Sequence, residues 1–380
     1  MRVLIRIYIL QMGAFLMNNK WERRQIITQG NLSEWLKSNY SSDKRFLYIL
    51  GMGFDRRMCD GVQQFLQTGI PFTLWKVTFD EGATSPSRDY IDDSNKNKEL
   101  LESITANIPS QEKHITFWQN DGRNSRYIAE ISACKVIKTS SNELGTFSDI
   151  IFDISALPQS IYLCMLNMLL TCCTKEQNIY IMVNENYTID LRTEPVEIDE
   201  FAHEMQGFSA PTEDLESVLV WYPILGEVNS PLLKKHYDFL INSSKHIDEI
   251  CPVVPFPAVD VRRSDNILTG YRKELFSDWK IDKKNIIYAS ETNPLRVRES
   301  LYETSMHYKK VLAPLGECKF VFSAITSKLM SIGVFLAAFD LKRKNVNVSL
   351  LNVNNKGYKI TQQDDNNISS NLTCLLLSNF

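Results

Sequence analysis

Short apolar runs recur along this chain, each ending in small and charged residues and then passing into a stretch with apolar positions at helical spacing. A continuous apolar run bounded by turn residues marks a strand buried on both faces. Its alternation with helical spacing predicts an α/β fold of two Rossmann-like halves, each with a mainly parallel sheet flanked by helices. The clearest run, residues 46–50, breaks at Gly51-Met52-Gly53 and continues through Phe54-Asp55-Arg56-Arg57 into a helix reaching Gln67. A short capped helix at 31–36 precedes it and a strand at 72–79 follows, which makes a strand-helix-strand unit. Residues 80–97, rich in Asp, Ser and Asn, predict an exposed loop. Further strands are predicted at 114–118, 148–155 and 179–183, ending in Asp121, Asp153 and Glu185, with a helix at 161–170.

Residues 191–216 carry Glu194, Glu197, Asp199, Glu200, Glu204, Glu213, Asp214 and Glu216 among few apolar positions, and read as an acidic linker. It separates an N-terminal domain, 18–190, from a C-terminal one, 217–380. The strand-then-helix pattern restarts with a run at 217–226 and a helix at 231–240. Prolines at 252, 255 and 257 predict a stiff connection rather than a central strand. Beyond a turn with Arg262 and Arg263, strands are predicted at 285–290, 319–325 and 345–353, with helices at 267–276, 294–313 and 329–339. The Asn-rich tail at 364–371 reads as exposed, and 374–377 as an edge strand.

Residues 1–17 are apolar with Arg2 and Arg6 near the start, but no small-x-small cleavage site follows, and two charges in so short a stretch disfavour a membrane span. An extra strand or helix, an uncleaved anchor, and a translated extension upstream of a start at Met17 are the three readings, the last being preferred. At 380 residues the chain is long for one core. A net charge of −3 and a pI near 6.0 give no strong nucleic-acid signal. Eight cysteines without a C-x-x-C pair suggest neither a disulfide framework nor a zinc site and fit reduced thiols in a cytoplasmic protein, and five separated histidines give no metal-ligand spacing.

The candidate chemistry lies where strands end. Gly51 and Gly53 let backbone N–H groups approach a ligand, but Arg56 stands where a dinucleotide fingerprint needs its third glycine. Asp55 and Arg56 on that turn would accept from a ribose hydroxyl and grip a phosphate, or else pair with neighbouring charges. In a parallel sheet Asp55, Asp121, Asp153 and Glu185 would gather at one edge, the three aspartates as catalytic carboxylates; such a cluster could hold a magnesium ion, orient water or grip ribose hydroxyls, or its members simply cap helices. In the second half Thr326 and Ser327 can cap a helix, and Lys328 in its first turn suits an anion.

Residues 319–339, a strand followed by Ser323-Ala324-Ile325-Thr326-Ser327-Lys328-Leu329-Met330 and a small-residue helix, resemble the Thr-Lys-x-Met element of CARF-type Rossmann-like sensor domains. That family carries consecutive glycines where this chain has Ala324-Ile325. The resemblance implies a nucleotide sensor of prokaryotic antiviral defence, often dimeric, with Thr326, Ser327 and Lys328 on the ligand. Three functions follow as expectations: a module sensing a nucleotide or other phosphorylated small molecule, a nucleotide hydrolase or transferase, and a scaffold for a protein partner. No cofactor is identified.

Overall fold

The alternation of apolar runs and helical stretches folds into two mainly parallel sheets flanked by helices. The computed structural model describes residues 21, 23–82, 85–121, 124–186, 193–209, 217–244, 246–360 and 371–378. The stretch at 1–17, with its three readings, lies outside them, as does most of the Asn-rich tail. Described residues up to Asn186 and from Asn371 onward form one compact unit, and those between form a second.

The first unit contains β1 (Arg23–Thr28), β2 (Phe46–Gly51), β3 (Phe72–Asp80), β4 (Ser110–Thr116), β5 (Trp118–Asp121), β6 (Asn124–Tyr127), β7 (Asp149–Asp153) and β8 (Asn178–Glu185). Its helices are α1 (Gln29–Ser38), α2 (Asp60–Leu66), α3 (Ile91–Ile104), α4 (Ala129–Thr139), α5 (Ser141–Leu144) and α6 (Gln159–Cys172). The sheet order is β1, the last strand Asn371–Ser378, β8, β7, β2, β3, β4. From β8 to β4 every pairing is parallel. All six residues of β2 are buried, as expected of a central strand covered on both faces. The chain runs outward from β2 through β3 to β4, then returns to lay β7 on the other side of β2 and β8 beyond it. The order therefore reverses between β2 and β7, and at such a switch point the carboxyl ends of two adjacent strands part and leave a crevice.

The second unit contains β9 (Thr193–Ile198), β10 (His203–Glu204), β11 (Val218–Leu225), β12 (Glu249–Ile250), β13 (Val253–Pro255), β14 (Ile287–Ala289), β15 (Cys318–Ile325), β16 (Asn347–Asn352) and β17 (Asn355–Ile360). Its helices are α7 (Ser230–Ser244), α8 (Arg263–Gly270), α9 (Pro294–Val311) and α10 (Lys328–Arg343). The sheet runs β10, β16, β15, β11, β13, β14, with the last five parallel and β10 antiparallel at the edge. Here too the chain moves one way from β11 and returns to its other side, so this sheet reverses between β11 and β15. Helix α10 is buried from Leu329 to Leu341. It crosses α9 at Gly333, where a Cβ would stand 2.5 Å from the Pro294 carbonyl oxygen.

Several expectations are corrected. Residues 80–97 do not form a loop throughout: Pro86–Tyr90 is a 3₁₀ turn and α3 follows. The local reason is a start signal, with Ser85 capping the Ser87 N–H, Pro86 in the first position, and Asp92 and Asp93 in the first turn of α3. The strand at 114–118 ends at Thr116, because Phe117 donates its N–H to the Asp80 carbonyl, and Trp118 begins a separate hairpin of β5 and β6. The proline-rich stretch does enter the sheet, as three-residue β13 between β11 and β14, its shortness matching the flanking Pro252 and Pro257. The last strand is interior, antiparallel to both β1 and β8. The acidic stretch read as a linker contributes β9, paired with β17, and β10, paired with β16.

Candidate functional site

At the strand-order reversal of the first unit lie the loops after β2 and β7. Gly51 ends β2, and a Cβ there would stand 2.5 Å from Leu157 Cδ2, so glycine is what lets the two loops meet. A Cβ on Gly53 would meet nothing within 4 Å, which leaves the second glycine facing open space. The loop is held from the outside: Met52 donates to the Val77 carbonyl at 2.8 Å, and Asn97 of α3 donates to the Gly53 carbonyl at 3.0 Å. Phe54 packs its ring on Tyr90, with centroids 4.9 Å apart.

Asp55 and Arg57 settle the charge of this turn. The Asp55 carboxylate accepts from the Arg57 backbone N–H at 3.0 Å and from the guanidinium at 2.8–3.1 Å. Arg57 is 4% exposed and also donates to the Asn184 carbonyl at the end of β8. The pair thus fastens the glycine turn to a strand two places away in the sheet. Arg56 is exposed. Asp60, at the start of α2, accepts from Asn184 at 2.5 Å, and burial pushes its carboxyl up against the opposing pull of Arg56.

Asp153 ends β7 and is 1% exposed. It accepts from the Tyr48 hydroxyl at 2.8 Å and from the Ser155 N–H at 3.0 Å. Burial, reinforced by this carboxylate, raises the Tyr48 phenol well above its ordinary range, so the proton stays on the tyrosine. Gly61 of α2 covers the pair: an added Cβ would collide with Asp153 Oδ2 and stand 2.6 Å from Tyr48 Oη. Ser155 in turn accepts from the Asn184 N–H at 2.9 Å. Asp55 and Asp153 are therefore structural ties of the loops. Asp121 ends β5 in the hairpin rather than a strand of the parallel sheet, and its side chain lies outside the described residues.

In the sequence Asp80 reads as the first residue of an expected loop, although it ends the run at 72–79 just as Asp153 ends its own. It closes β3, the neighbour of β2, and is exposed. The other residues missed, Tyr48, Gly61 and Asn97, carry no local signal, because their roles arise only when β7 and α3 reach β2.

In the second unit the loops after β11 and β15 meet just as closely. Gly226 donates its N–H to the Ile325 carbonyl at 2.6 Å, and a Cβ on it would stand 2.6 Å from Thr326 Cα. Thr326, Ser327 and Lys328 therefore lie at the point where this sheet reverses. Ser327 caps α10 by accepting from the Met330 N–H at 3.4 Å, the Thr326 hydroxyl turns to the Met330 sulfur, and half-buried Lys328 opens the helix. Beside them Arg263 binds Glu227 at 2.7 Å and Glu291 at 2.9 Å, an ion cluster lying after β11, β13 and β14. Burial raises the Glu227 carboxyl against the opposing pull of Arg263. Among the described residues no group of three His, Cys, Asp or Glu is placed to hold a metal ion, and no helix is long and apolar enough to cross a membrane.

No family model matches the chain, and no curated protein matches it. Among solved structures, a universal stress protein from Archaeoglobus fulgidus DSM 4304 aligns at 12% identity and a TM-score of 0.23, over 80% of this chain and 94% of that one. A putative universal stress protein from Pseudomonas aeruginosa UCBPP-PA14 aligns at 8% identity and a TM-score of 0.23, over 81% of this chain and 92% of that one. At this level of similarity the alignments carry no argument about function, and the chain's own sheet order is what establishes its α/β class.

Proposed function

We propose that this chain is a cytoplasmic sensor that binds a nucleotide or a related phosphorylated ligand at the switch points of its sheets. One observation carries the reading: in each unit the residues with binding chemistry flank the position where strand order reverses. Gly51 and Gly53 do so between β2 and β7, and Thr326, Ser327 and Lys328 between β11 and β15. Crevices outside the carboxyl ends of parallel strands are the general ligand site of open α/β sheets. Lysine in the first turn of a sixteen-residue helix favours an arriving anion. The eight free cysteines fit a reducing compartment. The resemblance of residues 319–339 to CARF-type sensors adds prokaryotic antiviral defence as the setting. Engagement of Asp55 and Asp153 in loop-holding bonds supports binding over hydrolysis by an aspartate cluster.

The test is native mass spectrometry of protein purified from its host, with denaturing release of whatever is bound, followed by thermal shift across a nucleotide panel. A ligand at a hundred times its Kd stabilises the folded state by about 2.7 kcal/mol. Stabilisation by a nucleotide that Lys328→Ala or Arg56→Ala abolishes supports the reading. The absence of a released ligand and of any shift across the panel overturns it in favour of a partner-binding scaffold.

A further inference from the structure

We infer that the crevice of the first unit recognises a ribonucleoside through its ribose hydroxyls, with Asp80 as the acceptor, rather than through a phosphate. The inference rests on the proposed nucleotide-binding role and specifies which part of the ligand this unit reads.

The argument begins with register. Gly51, the last residue of β2, pairs with Val77 of β3, so β3 continues past β2 through Thr78, Phe79 and Asp80, alongside the loop that carries Gly53. Asp80 is held in place from both sides. Its carbonyl accepts from the Phe117 N–H at 2.9 Å, and its Oδ1 accepts from the Gly82 N–H at 3.1 Å. Gly82 takes a left-handed φ of 85°, which closes this turn without the strain a side chain would bring. Oδ2 takes no hydrogen bond among the described residues and lies at the exposed end of the strand. The neighbouring acid Glu81 is different, since it accepts from the Ser85 hydroxyl at 2.6 Å. An acid at the end of the strand next to the glycine turn is where an open α/β sheet can take ribose hydroxyls, because a carboxylate accepts from a diol and repels phosphate.

The usual phosphate position is already filled. In a dinucleotide site the pyrophosphate takes the N–H groups that open the helix after the glycine turn. Here the Asp55 side chain accepts from the Arg57 N–H and the Asp55 carbonyl from the Met58 N–H. Helix α2 then opens with Asp60. The Asp55 charge is matched by Arg57. Phe54 and Tyr90, partly exposed beside the open face of Gly53, supply the apolar ring surface on which a base can stack.

The experiment is calorimetric titration of the full chain with the four common ribonucleosides, their 2′- and 3′-deoxy counterparts, the ribonucleoside triphosphates and inorganic pyrophosphate. At least one ribonucleoside should bind. Its deoxy analogue and the Asp80→Asn variant should each weaken that binding about tenfold to a hundredfold, the loss of a charge-assisted hydrogen bond. Asparagine keeps the Oδ1 acceptor for Gly82, and Glu81→Gln serves as the control that leaves affinity unchanged. Ribonucleoside binding that ignores both the deoxy change and Asp80→Asn overturns this inference alone, as does pyrophosphate binding as tightly as the triphosphates with Asp80→Asn neutral. Failure of every nucleoside and nucleotide to bind overturns the sensor reading as well.

Discussion

Replacing Gly61 by alanine tests how the first crevice is braced. On an ordinary exposed helix the change would stabilise by about 1 kcal/mol through helix propensity. Here the new methyl would collide with Asp153 Oδ2 and stand 2.6 Å from Tyr48 Oη, both deeply buried. Helix α2 cannot retreat freely, because Asp60 accepts from Asn184 and Arg57, just before the helix, donates to the Asn184 carbonyl. Overpacking of this kind costs about 1–3 kcal/mol. Displacing the buried Tyr48–Asp153 bond adds about 1–3 kcal/mol for groups left without a partner. After the propensity gain the net loss is about 1–5 kcal/mol. The assay is urea unfolding followed on the transition of the first unit, with Tyr48→Phe and the double variant alongside. Because Tyr48→Phe removes one of the two colliding atoms, the double variant should lose less than the sum of the singles. A neutral or stabilising Gly61→Ala, or strict additivity, would refute the reasoning.

Four further outcomes follow from the same geometry. Asp55→Asn leaves the nearly buried Arg57 guanidinium without its carboxylate, and should cost about 2–3 kcal/mol in urea unfolding, below the fully buried range because Asp55 is partly exposed. Gly226→Ala puts a Cβ 2.6 Å from the Thr326 backbone, so it should lower the stability of the second unit by about 1–3 kcal/mol and weaken ligand binding there. Lys328→Ala should lower affinity for a phosphorylated ligand at least tenfold, read by calorimetry, while leaving the unfolding midpoint nearly unchanged. His236 is buried with its Nδ1 unpartnered, and burial, aided by His203, lowers its pKa to about 3. The folded state refuses a proton that the unfolded state takes near pH 6.5, so stability is full above that pH and falls as pH drops toward 3. The loss reaches about 2 kcal/mol at pH 5, and His236→Leu should remove that part of the pH dependence in unfolding measured from pH 7 to 4.5.

The sequence made the α/β class readable because buried parallel strands leave continuous apolar runs, as at Phe46 to Leu50 and Phe320 to Phe322. It also marked the turns, since Gly51, Gly53 and Ser327 have local chemistry. Strand order was hidden, because neither Gly51 nor Thr326 records which strand will lie beside it, and the switch points exist only in the assembled sheets. Charge partners were hidden for the same reason. Asp153 reads in the sequence as a strand-end acid, and only the fold brings it Tyr48 and Ser155 as partners, whereas the Asp55–Arg57 pair lies within one turn and is open to reading as a local ion pair. Helix α3 was missed because its exposed face is so polar that Asn97 and Leu101, its two buried residues, leave a faint period.

The central claim is that ligand binds at the strand-order reversals, and hydrogen exchange of the full chain with and without a stabilising nucleotide tests it most directly. The account expects slowed exchange confined to the amides of residues 51–57 and 80–82, to those of residues 226–229 and 326–330, or to both sets. Slowed exchange elsewhere with these amides unchanged, or no protection by any nucleotide at saturating concentration, would contradict it.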